Sequence, residues 1–429
     1  MKVLIKKGEK KQIKNTPELN IPDKKISFAI IFQFCILITN STIKHVLNIE
    51  NPTTRSIISA IFMLVVGILF LKNLNIVLKR IGKLFTWTYF VFIFIFLFNA
   101  LIFKENAKYI LGNSFWFFLM CLPISLYYIA IENKVIFLNM LIKSAYYQIA
   151  LGFFYTVSTN YTIPEYDMVF SYQIMIPIII LFYKIYNKFN IIDFILIIFG
   201  VSSIVIIGSR GPILSIILFS TIFIFIDLIR NRKKFKSVYM YFLGLIAVFF
   251  SFVYFEQILY QVNMFLIKFG ISSRTMILLS GGNADFSTGR SYIYKLVIQK
   301  ILEKPVLGYG LAGDRIFLYG SYPHNIFLEV LVQFGIIFGS SILTIFIFYW
   351  IKGIALNKNK EEQDLAIMFF GIGLVQLFIS GSYIEASNFW LFMAICFNSV
   401  HFKKQETEKV CRCRQSVSVR NSTYRDIRY

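Results

Sequence analysis

Three basic side chains stand where apolar segments meet polar ones, and their chemical types suit a phosphorylated substrate. Arg210 lies in a very short loop between two apolar runs, Arg290 follows Thr288 and Gly289 directly before an amphipathic stretch, and His324 immediately precedes an apolar run. A guanidinium group matches phosphate oxygens and keeps its charge at physiological pH. A neutral imidazole can accept a proton from a hydroxyl group. These residues therefore predict a site that holds a phosphate group and activates a hydroxyl.

Each of these residues also has a structural interpretation that involves no substrate. Arg210 would extend towards lipid headgroups, Arg290 would be an ordinary solvated charge, and His324 would form a hydrogen bond at the membrane boundary. Glu329, about one helical turn beyond Asn325, would either orient the imidazole of His324 or anchor the start of its helix. For each residue taken alone, both interpretations stay open.

The composition is that of a membrane protein. Of the 429 residues, 57% are hydrophobic and 15% are charged, whereas soluble domains have about 25% charged residues. Many apolar runs reach the roughly 20 residues that a helix needs to cross a bilayer, and we predict an all-α integral membrane protein with about 12 transmembrane helices. Helices 1–9 would occupy 26–255 and helices 10–12 would occupy 325–402. The predicted spans are 26–42, 56–71, 84–103, 110–131, 135–157, 167–183, 190–207, 212–229, 238–255, 325–350, 365–381 and 387–402.

One long polar segment, 256–324, separates the two groups of spans. A loop of this length is uncommon unless it has a function, and we expect it to contain short amphipathic helices. One such helix is predicted over Ser291–Lys304, capped by Thr288 and ended by Pro305. Its apolar face would consist of Ile293, Leu296, Val297 and Ile301, and its polar face of Lys295, Gln299 and Glu303.

The distribution of the net charge of +22 along the chain indicates how the protein is oriented in the membrane. Most of the 44 Lys and Arg residues fall in the basic tails 1–25 and 403–429 and in alternate loops between the spans. The positive-inside rule then places both tails in the cytoplasm, and 256–324 and the loop at Arg210 on the extracytoplasmic face. This distribution argues against binding of nucleic acid and predicts contact with anionic membrane lipid.

Other residues carry weaker signals. Cys411 and Cys413 lack a nearby histidine or second cysteine pair, so they do not predict a zinc site. Lys143 falls near the middle of a predicted span, where a lysine usually faces a cavity or a partner. We expect no metal and no cofactor.

Three stretches in the second half of the chain resemble the O-antigen ligase/polymerase superfamily, which includes Wzy-type polysaccharide polymerases. The first is Gly208-Ser209-Arg210-Gly211 at the start of a span. The second is Gly289-Arg290, followed by a helix and by the sequence KPVLGYG at 304–310. The third is HNIFLE at 324–329, leading to FGIIFG at 334–339. The resemblance rests on their order, on their shared predicted membrane face and on the long loop, and it covers about 205–340.

The resemblance implies a metal-independent glycosyltransferase of the bacterial inner membrane that acts on glycans linked to undecaprenyl diphosphate. By motif position, Arg210 and Arg290 would correspond to the loop arginines that are thought to hold the diphosphate. His324 would correspond to the histidine that activates the acceptor, and the three residues would converge in one site. The remaining expected substrate contacts are Tyr309, Arg315, Asn325 and Glu329.

The leading hypothesis is a polymerase of surface polysaccharide, such as O-antigen or capsule. Its donor would be a glycan on undecaprenyl diphosphate, and its acceptor the terminal sugar of a lipid-linked repeat unit. A flippase and a chain-length regulator would be natural partners. The alternatives are a ligase that transfers the glycan to lipid A–core or to protein, a transporter of the same lipid-linked glycan, and a sensor or scaffold without chemistry. The transporter receives little support, because the sequence shows no internal repeat.

Overall fold

The computed structural model of the protein describes residues 20–158, 167–207, 209–230, 261, 264 and 290–401. Residues 1–19, the tail 403–429, the predicted span 238–255 and the cap residue Thr288 lie outside these ranges. Within 256–324, the predicted long loop, the description covers chiefly 290–324.

The described residues form α-helices with short 3-10 and π segments, and they contain no β-strand. Five-residue π segments occur at Phe117–Cys121 and at Phe370–Leu374. The helices are α1 (Asn20–Val46), α2 (Pro52–Ile102), α3 (Ala107–Trp116), α4 (Leu122–Ala130), α5 (Lys134–Ser158), α6 (Met168–Asn187), α7 (Ile191–Ile207), α8 (Arg210–Arg230), α9 (Arg290–Glu303), α10 (Asp314–Phe317), α11 (Ile326–Ile354), α12 (Lys360–Phe369) and α13 (387–401).

Seven helical segments in the described part of the chain are long and apolar enough to cross a membrane. They are α1, α2, the segment Lys104–Ala130, α5, α6, α8 and α11. The prediction of an all-α integral membrane protein is therefore confirmed, while the count of about 12 spans stays a prediction.

The longest helix, α2, is sharply bent at Ile81, where φ is −132° and ψ is 26°. Both arms lie against the segment formed by α3 and α4. Phe70 in the first arm has its ring 4.7 Å from that of Tyr127, and Phe96 in the second arm has its ring 5.0 Å from that of Phe117. The predicted spans 56–71 and 84–103 therefore correspond to the two arms, which meet at the kink at Ile81.

Ion pairs connect neighbouring helices at one end of the bundle. Arg80, next to the bend of α2, pairs with Asp23 at the start of α1. Lys184 of α6 pairs with Asp193 of α7 at 2.6 Å. The third pair joins Arg230 at the end of α8 to Asp364 of α12 at 2.9 Å. The carboxylates are almost completely buried, so each one is neutralised where water is scarce.

The centre of the bundle is α6, which is buried on nearly all sides. Its residues from Ile174 to Leu181 are shielded by α5, α7 and α8. A helix that is apolar all round belongs in the middle of a bundle. α6 begins at the other end of the bundle, opposite to Lys184 at its end. There Tyr172 of α6 contacts Gly211 at the start of α8 and lines a cavity together with Tyr322, which precedes α11. We call this the site end, because it carries the residues with candidate chemistry.

Candidate active site

His324 occupies a strained position at the site end. Its φ of 57° lies in the left-handed region, which is uncommon for a residue with a side chain and is often found at functional sites. The imidazole lies against Tyr322, with 4.5 Å between the ring centroids. Nδ1 is buried and has no hydrogen-bond partner among the described residues. The ring is thus held in place while one of its nitrogens stays free for another group.

The next residue, Asn325, fixes the start of α11. Its side-chain oxygen accepts hydrogen bonds from the backbone N–H groups of Phe327 at 3.0 Å and Leu328 at 3.3 Å. This is the arrangement of an asparagine N-cap. Asn325 is thus the N-cap of α11, and its expected contact with substrate stays a prediction.

Arg290 is the first residue of α9, as the motif predicted, and its charge acts on His324. Burial, and then the positive charge of Arg290, lowers the pKa of His324 below its ordinary value of 6.5. The imidazole is consequently neutral at physiological pH and able to accept a proton. The structure therefore brings two of the three catalytic candidates within electrostatic reach of each other.

The amphipathic helix predicted over Ser291–Lys304 is confirmed as α9, shifted by one residue. Val297 and Ile301 are buried with Leu318 and Val332, and Ile293 and Leu296 contact the same cluster. The predicted polar residues Lys295, Gln299 and Glu303 are exposed. The apolar face fixes α9 against α11, and with it the position of Arg290.

The sequence KPVLGYG at 304–310 is docked into a break in α11. Gly335 interrupts that helix with φ 72° and ψ 177°. The N–H of Tyr309 donates to the carbonyl oxygen of Val332 at 2.9 Å, the N–H of Gly310 to that of Gln333 at 2.8 Å, and the N–H of Ile336 to that of Pro305 at 2.6 Å. The loop therefore satisfies backbone groups that the break in the helix would otherwise leave unpaired.

Gly308 makes this close docking possible. Its φ is 65°, and a Cβ atom there would lie 2.5 Å from the carbonyl oxygen of Gln333. Two buried asparagines hold the same loop from the other side. Asn106 donates to the carbonyl oxygens of Tyr309 at 2.7 Å and Leu311 at 3.1 Å, and Asn99 accepts from the N–H of Leu311 at 2.9 Å. The loop is thus fixed to α2 as well as to α11.

Behind His324 lies a buried ionic cluster centred on Arg315, which is only 2% exposed. Its guanidinium donates to Asp314 at 2.9 Å, to Glu329 at 3.4 Å and to Ser382 at 2.7 Å. Burial alone would lower the pKa of Arg315, but the carboxylates of Asp314 and Glu329 raise it well above its ordinary value. Arg315 therefore balances buried acids, where we had expected it to contact substrate.

Glu329 is anchored by the same cluster. Besides Arg315, it accepts hydrogen bonds from the hydroxyl of Ser382 and from the N–H of Tyr383 at 3.3 Å. Gln333 extends the network, donating to Asp314 at 2.7 Å and accepting from the hydroxyl of Tyr383 at 2.6 Å. Of the two interpretations given to Glu329, the geometry favours anchoring the helix over orienting the imidazole.

Tyr309 lies at the end of α9, away from this cluster. Its hydroxyl donates to Glu303 at 2.8 Å, and its ring lies 5.5 Å from that of Phe317. Burial, followed by the carboxylate of Glu303, raises the pKa of Tyr309 to about 12. The hydroxyl therefore stays protonated and closes the turn between α9 and α11.

The third catalytic candidate, Arg210, is the first residue of α8. The structure describes the backbone here. A Cβ atom at the adjacent Gly211 would collide with the hydroxyl of Tyr172 and would lie 3.5 Å from Ile379. Tyr172 and Tyr322 line the same cavity, which has a volume of about 530 Å³ and also borders Ser382 and Glu385. The start of α8 therefore lies at the cavity that reaches the neighbour of His324.

Several residues of the site carried no signal in the sequence. Tyr322, Ser382, Gln333 and Tyr383 surround Arg315 and His324, yet no motif or spacing singled them out. In the part of the chain that the structure describes, no group of three or more His, Cys, Asp or Glu side chains is placed to hold a metal ion. Lys143 is exposed on the surface of α5.

Comparison with known proteins agrees with the motif assignment. Residues 195–344 match the Wzy_C family, described as O-antigen ligase. A Rickettsia conorii protein named as a polysaccharide ligase is 27% identical over 122 residues, which is 24% of this chain and 29% of that protein. The alignment thus spans less than a third of the relative's length. No solved structure matches. The matched residues 195–344 contain Arg210, Arg290 and His324, and both comparisons support a relationship of this part of the chain to the O-antigen ligase/polymerase superfamily.

Proposed function

We propose that this protein is a polysaccharide polymerase. It would transfer a glycan from undecaprenyl diphosphate to the terminal sugar of a lipid-linked repeat unit at the extracytoplasmic face of the inner membrane. The superfamily accounts for a glycosyl-transferring membrane enzyme with a lipid-linked polysaccharide substrate. The polymerase activity and the undecaprenyl diphosphate donor are inferred from the candidate active site.

The observation that carries the proposal is the environment of His324. Its ring is partly buried, burial and the charge of Arg290 lower its pKa, and its Nδ1 has no hydrogen-bond partner among the described residues. The adjoining cavity of about 530 Å³ is bordered by side chains and backbone from α1, α3, α6 and the loop before α13. Buried polar atoms normally have a hydrogen-bond partner, so the unpartnered Nδ1 supports a role in binding the acceptor hydroxyl.

In the proposed reaction, His324 accepts the proton of the acceptor hydroxyl as its oxygen attacks the anomeric carbon of the donor sugar. A new glycosidic C–O bond forms, and the bond between the anomeric carbon and the diphosphate oxygen breaks. The leaving undecaprenyl diphosphate gains negative charge. Arg290 and Arg210 would stabilise this charge, since guanidinium groups match phosphate oxygens.

The ionic cluster has a positioning role in this scheme. Arg315, Asp314 and Glu329 hold the turn at α10, the start of α11 and the loop at Ser382 together. These are the elements on either side of Tyr322 and His324. We therefore assign these buried charges to the support of the site and not to contact with the diphosphate.

A ligase that uses lipid A–core or protein as acceptor is the alternative within the same superfamily, and the name of the Rickettsia relative refers to that activity. The two reactions share the donor and differ in the acceptor. A deletion in the producing cell separates them. Loss of a polymerase leaves single repeats on the carrier lipid, whereas loss of a ligase leaves long chains on it.

The direct test uses purified full-length protein in lipid nanodiscs with labelled lipid-linked repeat units as the only substrate. A polymerase lengthens these units without any other acceptor, and His324→Ala and Arg290→Ala lower the rate by about 100-fold or more. Lys295→Ala is the matched control, because Lys295 lies on the exposed face of the same helix. Products that lengthen only after addition of lipid A–core would assign the protein to the ligases.

A further inference from the structure

An apolar groove lies on the first arm of α2, far along the sequence from the residues discussed so far. Its volume is about 670 Å³, and it runs past Leu64, Gly67, Ile68 and Leu71 towards Phe115 and Leu119 of α3 and the following π segment. The side chains of Leu64, Ile68 and Leu71 are more than half exposed. A Cβ atom at Gly67 would meet no atom within 4 Å. The surface is therefore an open channel for an apolar chain in the bilayer.

Two cations stand at the head of this groove, at the site end of the bundle. Lys44 of α1 and Arg55 of α2 both line it. Lys44 donates a hydrogen bond to Ser59, and neither cation forms an ion pair within the described residues. Glu50 and Asp167 line the neighbouring polar cavity together with these cations, but neither forms an ion pair with them among the described residues, so the two cations fit an anionic group such as a diphosphate.

Beyond the two cations lies a polar cavity of about 860 Å³, which also borders Lys44 and Arg55. Gln33 lines it and is 1% exposed, yet neither its amide nitrogen nor its amide oxygen has a partner among the described residues. The side-chain oxygens of Asn40 and Gln173 are also buried without a partner. Buried amides are normally hydrogen-bonded, so this cavity fits a ligand rich in hydroxyl groups.

The polar cavity continues towards the candidate active site. It shares Leu37, Trp116, Val169 and Gln173 with the cavity of about 530 Å³ that ends at Tyr322, beside His324. Apolar groove, cation pair, polar cavity and histidine thus follow one another in space. A lipid-linked glycan has the same order: an apolar tail, a diphosphate, sugars and a terminal hydroxyl.

We infer that this path binds the acceptor, a polyprenyl-diphosphate-linked glycan. The tail lies in the groove, the diphosphate contacts Lys44 and Arg55, and the sugars hydrogen-bond to Gln33 and its neighbouring amides. The inference rests on the proposed polymerase function, in which the acceptor is itself a lipid-diphosphate glycan. It gives the enzyme two lipid sites, with Arg210 and Arg290 serving the donor.

A cross-linking experiment tests the lipid part without requiring turnover. The full-length protein in phosphatidylcholine nanodiscs is irradiated with a diazirine-bearing polyprenyl diphosphate that carries no sugar, and the modified peptides are identified by mass spectrometry. We expect labelling around Leu64 and Ile68 that falls about tenfold in the double variant Lys44→Gln/Arg55→Gln. Arg290→Gln should leave it unchanged. Labelling needs no transfer reaction. A protein that is labelled at these residues but does not lengthen glycans would therefore contradict the proposed polymerase activity while still supporting the lipid-binding site.

Competition identifies the occupant. Unlabelled polyprenyl diphosphate should suppress the labelling, while the same concentration of phosphatidylglycerol should not. Equal suppression by both would identify the groove as a site for bulk anionic lipid and overturn the inference. Labelling that does not depend on the Lys44 and Arg55 charges would overturn it as well.

Gln33→Leu tests the glycan part. The substitution removes the two unpartnered polar atoms at similar volume, so thermal stability should stay equal or rise. The KM for lipid-linked repeat units extracted from the producing cell should rise about tenfold, because a site that hydrogen-bonds hydroxyl groups loses discrimination when its amide is removed. Labelling by the sugar-free probe should not change. An unchanged KM would exclude the cavity as the glycan site.

Discussion

The imidazole of His324 and the phenol ring of Tyr322 lie against each other, with 4.5 Å between their centroids and 59° between their planes. The same phenol ring lies 5.8 Å from the guanidinium carbon of Arg315. Tyr322 therefore connects the buried ionic cluster to the candidate base. A catalytic ring that is held by packing depends on the neighbour that holds it.

We expect the Tyr322→Phe variant to catalyse polymerisation at a rate within about threefold of the wild-type rate, because the ring is retained. The Tyr322→Ala variant should lose tenfold or more in rate, because the imidazole of His324 would be misplaced. The measurement is the initial rate with lipid-linked repeat units in nanodiscs. Equal rates for the phenylalanine and alanine variants would show that the ring contact has no part in positioning His324.

The pH dependence of the rate should report the protonation of His324. Burial and the charge of Arg290 lower its pKa below 6.5, and a general base must be neutral to accept a proton. The rate should therefore be constant at neutral pH and fall on acidification, with a midpoint below 6.5. In Arg290→Gln one of the two causes is absent, so the residual activity should have its midpoint at a higher pH.

Arg290→Lys is the control for this experiment, because it retains the charge while losing the guanidinium geometry. Its midpoint should stay near that of the wild type, although its rate falls. If the midpoint is the same in the Arg290→Gln and Arg290→Lys variants, the charge at position 290 does not influence the pKa of His324.

Removal of Arg315 should destabilise the protein. Arg315→Met leaves Asp314 and Glu329 buried without their cation, which costs about 3–5 kcal/mol in comparable sites. Thermal unfolding in detergent measures the effect, with Lys295→Met on the exposed face of α9 as the control. The double variant Arg315→Met/Glu329→Gln should regain part of the loss, because it leaves one unpaired carboxylate fewer.

Gly308→Ala should weaken the docking of 304–310 onto α11. The added Cβ would lie 2.5 Å from the backbone at Gln333, in a residue with φ 65°, and such strain costs about 1–3 kcal/mol. Gly67→Ala is the matched control, because a Cβ atom at Gly67 would meet no atom within 4 Å. It should leave the free energy of unfolding unchanged or raise it by up to about 1 kcal/mol. Equal unfolding temperatures for the two variants would contradict the tight docking.

The helical membrane architecture and the face of α9 that packs against α11 were predicted from the sequence, while the roles of Arg290 and His324 stay predictions. Apolar runs long enough to cross a bilayer predict helices directly. The helical spacing of Ile293, Leu296, Val297 and Ile301 predicted the face that α9 buries against α11. These signals are local, so a single sequence contains them.

The partners of Arg315 were not accessible. Apart from the adjacent Asp314, its carboxylate and hydroxyl contacts come from Glu329, 14 positions away, and Ser382, 67 positions away. Nothing in the sequence distinguishes an arginine that meets a phosphate from one that meets two buried acids. The same limit applied to Asn325, for which the cap contacts were visible only once the start of α11 was in place. The kink at Ile81, next to Gly82, lies where we had predicted a break between the spans 56–71 and 84–103, because a single glycine inside an apolar run does not show whether a helix bends or ends.

The hydrogen bonds between 304–310 and the break at Gly335 have a consequence for the enzyme's response to its membrane. They fix α9 to the start of α11, so the separation of Arg290 from His324 is set inside one small module and not by the tilt of separate spans. Bilayers of different thickness change helix tilt at modest energetic cost. The bond-forming step should therefore proceed at the same rate in bilayers of short-chain and long-chain lipids. Bilayer thickness should instead change the affinity for the lipid-linked substrates.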